Sequence, residues 1–149
     1  RPLHRNRYLK SRKQAEGEFT LECHKKAYDL AVATEDEEQV FTNAVKMAFM
    51  YALLDLSKKK MRAHAAEAEK KAKDYFYPSR HKWATIAEAS IYLAQLDQAK
   101  EYYKKVADKA GIRYRMQCYD QAARVYNILY RPENKKDEFL VFLEETLLT

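Results

Sequence analysis

A chain of 149 residues can form one domain with a sizeable core, and with only two glycines and three prolines it lacks the turn chemistry of sheets and long loops. Its apolar runs fall short of the roughly 20 residues that span a bilayer, which argues against a membrane protein. The net charge of +6 sits at the start: residues 1–14 hold Arg1, Arg5, Arg7, Lys10, Arg12 and Lys13 without an acid, and the remaining basic residues match the 22 acidic ones.

This basic arm lacks the apolar core of a signal peptide and reads as a solvated or linker segment, with contact to an acidic partner as the second reading. The first residue is not methionine, so the expectation is a segment of a longer protein. Residues 15–149 then form a single helical domain. Cys23 and Cys118 are too few for a disulfide scaffold and point to buried thiols in a reducing, cytoplasmic setting.

Apolar residues recur at three- and four-residue intervals almost throughout, which predicts amphipathic helices. The first is expected over residues 18–33, with Phe19, Cys23, Ala27, Leu30 and Ala31 on one face. Thr34 and Glu37 fit a capping box for a second helix, whose start is acidic from Glu35 to Glu38. Ser57 can cap a third helix reaching about Tyr75. Pro78 marks the next boundary, because it removes a donor and restricts Tyr77. Two more helices run to a C-cap at Gly111, a sixth spans residues 113–130, and a last one carries Phe139, Phe142, Leu143 and Leu147.

The stretch "WATIAEASIYLAQLDQAKEYY", from Trp83 to Tyr103, joins two of these helices. Small residues at Ala87 and Ala99 let their backbones approach, while Trp83, Ile86 and Tyr103 fill the space beside them. Ala44, Met47, Ala48 and Tyr51 repeat the theme upstream with the same spacing as Tyr119, Ala122, Ala123 and Tyr126 downstream. This pattern resembles a tetratricopeptide-repeat (TPR) array, and the longer stretch is similar to the TPR-like region of apoptosis signal-regulating kinases and its bacterial relatives. It departs from the motif at Ser90, where a large apolar residue is preferred, and at Ala94, where glycine is preferred.

The resemblance implies an all-α, right-handed solenoid of about seven helices in hairpins. Its inner groove would carry Thr42, Val45, Phe49 and Leu53, then His81, Ala84, Glu88, Ile91 and Tyr92, then Gln117, Asp120, Arg124, Asn127 and Ile128. The groove positions at which some TPR domains hold a chaperone's terminal carboxylate with a lysine–asparagine clamp are not lysine and asparagine here.

Catalytic patterns are scarce. None of His4, His24, His64 and His81 lies three or four residues from another, which gives no metal-ligand spacing. Two isolated glycines cannot form a phosphate loop or a nucleophile elbow. The expectation is a non-catalytic interaction or scaffold module, without cofactor or metal, that binds a protein or peptide in its groove. The alternative is a nucleic-acid-associated protein using the basic arm, Ser57–Arg62, Lys70, Lys71 and Lys73, with the aromatic Tyr75–Pro78 segment able to stack bases. The apolar terminal helix is expected to cover the sixth and to leave Leu140 or Leu148 open for self-association.

Overall fold

The computed structural model describes the backbone of residues 2–149 and the side chains of residues 11–149, so His4 and most of the basic arm's side chains lie outside the described residues. Among the described residues there are seven helices and no strand. They are α1 (Pro2–Ala33), α2 (Glu37–Leu53), α3 (Lys58–Asp74), α4 (Arg80–Tyr92), α5 (Leu96–Lys109), α6 (Ile112–Tyr130) and α7 (Glu138–Leu147).

Neighbours in sequence pack together from α1 to α5, and α7 lies against both α5 and α6. In addition α2, α4 and α6 touch one another, α2 reaching α6 directly. Alanines set this closeness. Ala44, Ala48, Ala65, Ala68, Ala87, Ala99 and Ala122 have no solvent exposure, and Ile86, Ile91, Tyr103 and Val106 fill the space around them. Trp83 is only half-buried and packs at the margin of this core, so Ile86 and Tyr103 take the central filling role. Ser90 is buried where an apolar residue was expected, and the position is satisfied locally. Its hydroxyl donates to Ile86 O at 2.6 Å and accepts from Gln98 Nε2 at 2.8 Å, while Gln98 also reaches Glu69 Oε2 on α3.

Several helix ends differ from the sequence expectation. α1 begins far ahead of residue 18, because the basic arm offers nothing that breaks a helix after Pro2. Gly17 sits inside it where a Cβ would collide with the Leu54 side chain at the end of α2. The start of α2 is capped by Asp36, which accepts from Gln39 N–H at 3.2 Å, and the Thr34 hydroxyl instead donates back to Leu30 O. Gly111 has φ −73° and is the N-cap of α6; α5 ends on Ala110. Ser57 and Ser79 cap α3 and α4 through their hydroxyls.

The face containing Phe19, Cys23, Ala27 and Leu30 also points the other way from expectation: these residues are exposed, and only Ala31 of that set is buried. Leu21, Tyr28 and Ala31 face the body, with the Tyr28 hydroxyl donating to Glu67 on α3. Cys23 is therefore a surface thiol and Cys118 a half-buried one.

Four helices close on a left-handed residue that is not glycine. Glu35, Asp55, Ala94 and Arg131 follow α1, α2, α4 and α6 with φ of 56°, 51°, 59° and 46°. The first three carry the paired bonds of a Schellman turn; at Ala94 these run from Ala94 N–H to Ile91 O and from Gln95 N–H to Ser90 O. Glycine is the residue most at ease at that backbone angle, so alanine at position 94 is strained.

At the other end, Phe139, Leu143 and Leu147 are buried while Leu148 stays 36% exposed. Asp137 caps α7 and accepts from the Tyr126 hydroxyl at 3.0 Å, and Lys100 and Lys104 of α5 lie over the Phe142 ring. The terminal stripe thus docks on α5 as well as α6.

Two stability changes are expected. A left-handed alanine costs about 1–2 kcal/mol, and a freer unfolded glycine offsets about 0.4–1 kcal/mol of that. Ala94→Gly should therefore raise Tm by about 2 °C in a thermal melt. Leu143→Ala should cost about 2–5 kcal/mol, enough to lower Tm by several degrees. An unchanged melt for the second variant would show that α7 unfolds separately from the rest.

Candidate functional site: a carboxyl-lined cavity between α2, α4 and α6

The convergence of three helices leaves a cavity of about 190 Å³ lined by Thr42 and Val45 from α2, His81, Ala84, Thr85 and Glu88 from α4, Tyr103 from α5, and Tyr114, Gln117, Cys118 and Gln121 from α6. Glu88 is its one carboxylate. Glu88 Oε2 accepts from the Tyr92 hydroxyl at 2.7 Å and from Gln121 Nε2 at 3.4 Å. Tyr92 sits one turn below it on α4 and is itself buried, so the pair is held from behind.

Burial pushes the Glu88 carboxyl up to about 7, against the hydrogen bonds of Tyr92 and Gln121 and the positive charge of Lys46, which favour ionisation. The same environment lifts the Cys118 thiol to about 12, through burial first and then the charge of Glu88. Burial also raises the Tyr92 and Tyr103 hydroxyls. At the rim, Tyr114 Oη lies 3.1 Å from His81 Nδ1, and the Arg80 guanidinium stands 4.7 Å over the Tyr114 ring.

The structure distributes the sequence-derived groove residues over several places. His81, Glu88 and Gln117 meet in the cavity, together with Thr42, Val45 and Ala84. Phe49 is half-buried beneath Arg124, whose guanidinium lies 5.3 Å from the ring centre; this contact spans α2 and α6 and closes the face there. Asp120 is exposed. Asn127 lines a different cavity toward α7, with Tyr119, Ala123, Pro132 and Leu140. Of the expected repeat core, Ala44, Met47, Ala48, Tyr51, Ile86, Ala87, Ala99, Tyr103, Ala122 and Tyr126 are buried, whereas Trp83, Tyr119 and Ala123 are partly so.

Tyr114, Cys118 and Gln121 were not singled out as site residues from the sequence. Their signal was present: with Gln117 they occupy steps of three and four residues on one stripe of α6. His24 and His64 do not line this cavity, and His64 stacks on Tyr51 at 5.4 Å with its pKa lowered by burial. Among the described residues no three His, Cys, Asp or Glu side chains are grouped to hold a metal ion, and no helix is long and apolar enough to cross a membrane.

The chain matches no family model, and comparison with curated proteins and with solved structures gives no match.

The carboxyl carries a pH signature. A folded pKa above the ordinary value of 4.5 means that the folded state holds the proton more tightly. This contribution to stability is complete below pH 4.5 and is lost as pH rises to about 7. Glu88→Gln keeps an acceptor for Tyr92 and should abolish that decline. At pH 8 it should gain on the order of 1 kcal/mol, since solvent contact screens part of the shift. Urea titrations of both proteins at pH 5 and pH 8 measure it; parallel losses would assign the pH dependence to another group.

Proposed function

We propose that this chain is a TPR-like, non-catalytic interaction module that binds a polypeptide over the joined face of α2, α4 and α6. One side chain of the partner enters the Glu88 cavity. The carrying observation is the convergence of three helices on a single carboxyl with its own hydrogen-bonded support. The consecutive packing of α2 with α3 and of α4 with α5 supports the hairpin-repeat reading.

Size and charge define the guest. A cavity of about 190 Å³ is smaller than the roughly 300–1,000 Å³ of typical small-molecule pockets and suits one protruding side chain. A lysine ammonium complements Glu88 and would draw its pKa down by stabilising the ionised form. The thiol of Cys118, raised to about 12, contributes negligible thiolate at neutral pH, which favours binding over nucleophilic chemistry. The two free cysteines fit a cytoplasmic, scaffold-like role.

Selection of peptides on the folded protein, followed by fluorescence anisotropy, tests this reading. The selected peptides should share a basic residue, bind more tightly at pH 8 than at pH 6, and lose about tenfold or more with Glu88→Gln, as expected for a charge-assisted contact. Their affinity should fall only gently with salt. Equal binding to Glu88→Gln would remove the cavity from the mechanism. Tight oligonucleotide binding with a steep salt slope would assign the protein to nucleic acid instead.

A further inference from the structure

α1 has a second apolar face that nothing among the described residues covers. Phe19 is 71% and Leu30 65% exposed, and Cys23 and Ala27 lie between them on the same stripe, away from the buried Leu21 and Ala31 and the partly buried Tyr28. A single exposed leucine is ordinary, but an aligned aromatic, thiol, methyl and leucine form a contiguous contact surface. The two ends of this stripe differ in charge. Toward the start the exposed Arg12 and Lys13 lie ahead of the exposed Glu16 and Glu18, and among the described residues Arg12 pairs with Glu16; beyond the far end lies the turn from Glu35 to Glu38, which is uniformly acidic.

We propose that α1 pairs with α1 of a second copy of this chain, antiparallel and centred near residues 24 and 25. This register sets Phe19 against Leu30 of the other copy and places Cys23 near Lys26 and Ala27. It brings Arg12 and Lys13 to the acidic turn, and Glu22 opposite Lys26. Every such contact occurs twice, as an isologous interface requires. A parallel pair would set Arg12 against Arg12 and the acidic turns against each other, so the charge order selects the antiparallel arrangement. One helix pair buries an area at the low end of specific interfaces, so a weak, concentration-dependent dimer is expected. The face of α2, α4 and α6 stays free, and Leu148 on α7 takes no part.

Sedimentation equilibrium of the full chain should show a monomer–dimer equilibrium that Phe19→Ser combined with Leu30→Ser abolishes. Both positions are exposed, so circular dichroism and Tm should hold. Two charge variants, Arg12→Glu with Lys13→Glu and Glu35→Lys with Glu37→Lys, should each be monomeric yet dimerise when mixed. In a Cys118→Ser background, Cys23 should cross-link through a short bis-maleimide, because the two thiols lie on the order of 10 Å apart. A chain that is monomeric at every concentration overturns the proposal, as does a mixture that associates no better than its components. A dimer that survives the Phe19 and Leu30 changes but is lost with Leu148→Ser also overturns it, by moving the contact to α7.

Discussion

The molecule rests on the close approach of α2, α3 and α4 across alanine. Ala44, Ala48, Ala65, Ala68 and Ala87 are wholly enclosed, so the helices meet nearly backbone to backbone. Close packing then forces larger side chains into the flanking crevices, where Phe41, Ile86, Tyr103 and Val106 are buried. A neighbouring crevice is polar: Ser90, Gln98 and Glu69 join α4, α5 and α3. The buried serine is tolerable because its hydroxyl both donates and accepts.

The cavity is the counterpart of that packing. Three helices drawn together by small residues cannot fill the space where a third meets the first two. Arg124 over Phe49 seals one part of this junction, and Tyr130 bonds to Ile91 O at 2.7 Å in another. Between these closures the remaining hollow presents Glu88, with a tyrosine and a glutamine fixing one carboxylate oxygen. A surface glutamate would be mobile and fully ionised. Here the same residue is oriented, and burial raises its carboxyl to about 7.

Much of the fold was legible because it depends on periodicity. All seven helices, Ser57 and Pro78 as boundaries, and the alanine cores of the central hairpins follow from spacing alone. The errors arose where spacing is ambiguous. α1 is apolar on two opposite faces, and the pattern does not say which one meets α2; Cys23 and Phe19 consequently appear on the wrong side. Thr34 and Asp36 are both competent N-caps two residues apart, and the left-handed turn at Glu35 decides for Asp36. For the cavity, His81 and Glu88 of α4 and Gln117 of α6 line it together, whereas Asp120, Arg124 and Asn127 lie elsewhere on α6. Direct contact between α2 and α6 depends on tertiary geometry that no local pattern encodes.

The missing side chain at Gly17 has mechanical consequences. Leu54 rests against its backbone at the end of α2, so this contact is a fulcrum for α1. About 15 residues precede it in the same helix, an arm of roughly 22 Å at 1.5 Å per residue. A tilt of about 10° at the fulcrum displaces the start of the helix by about 4 Å on that length. Because Leu21, Tyr28 and Ala31 hold the rest of α1 on the body, the fit of one leucine against a bare stretch of backbone sets where the backbone of that arm points.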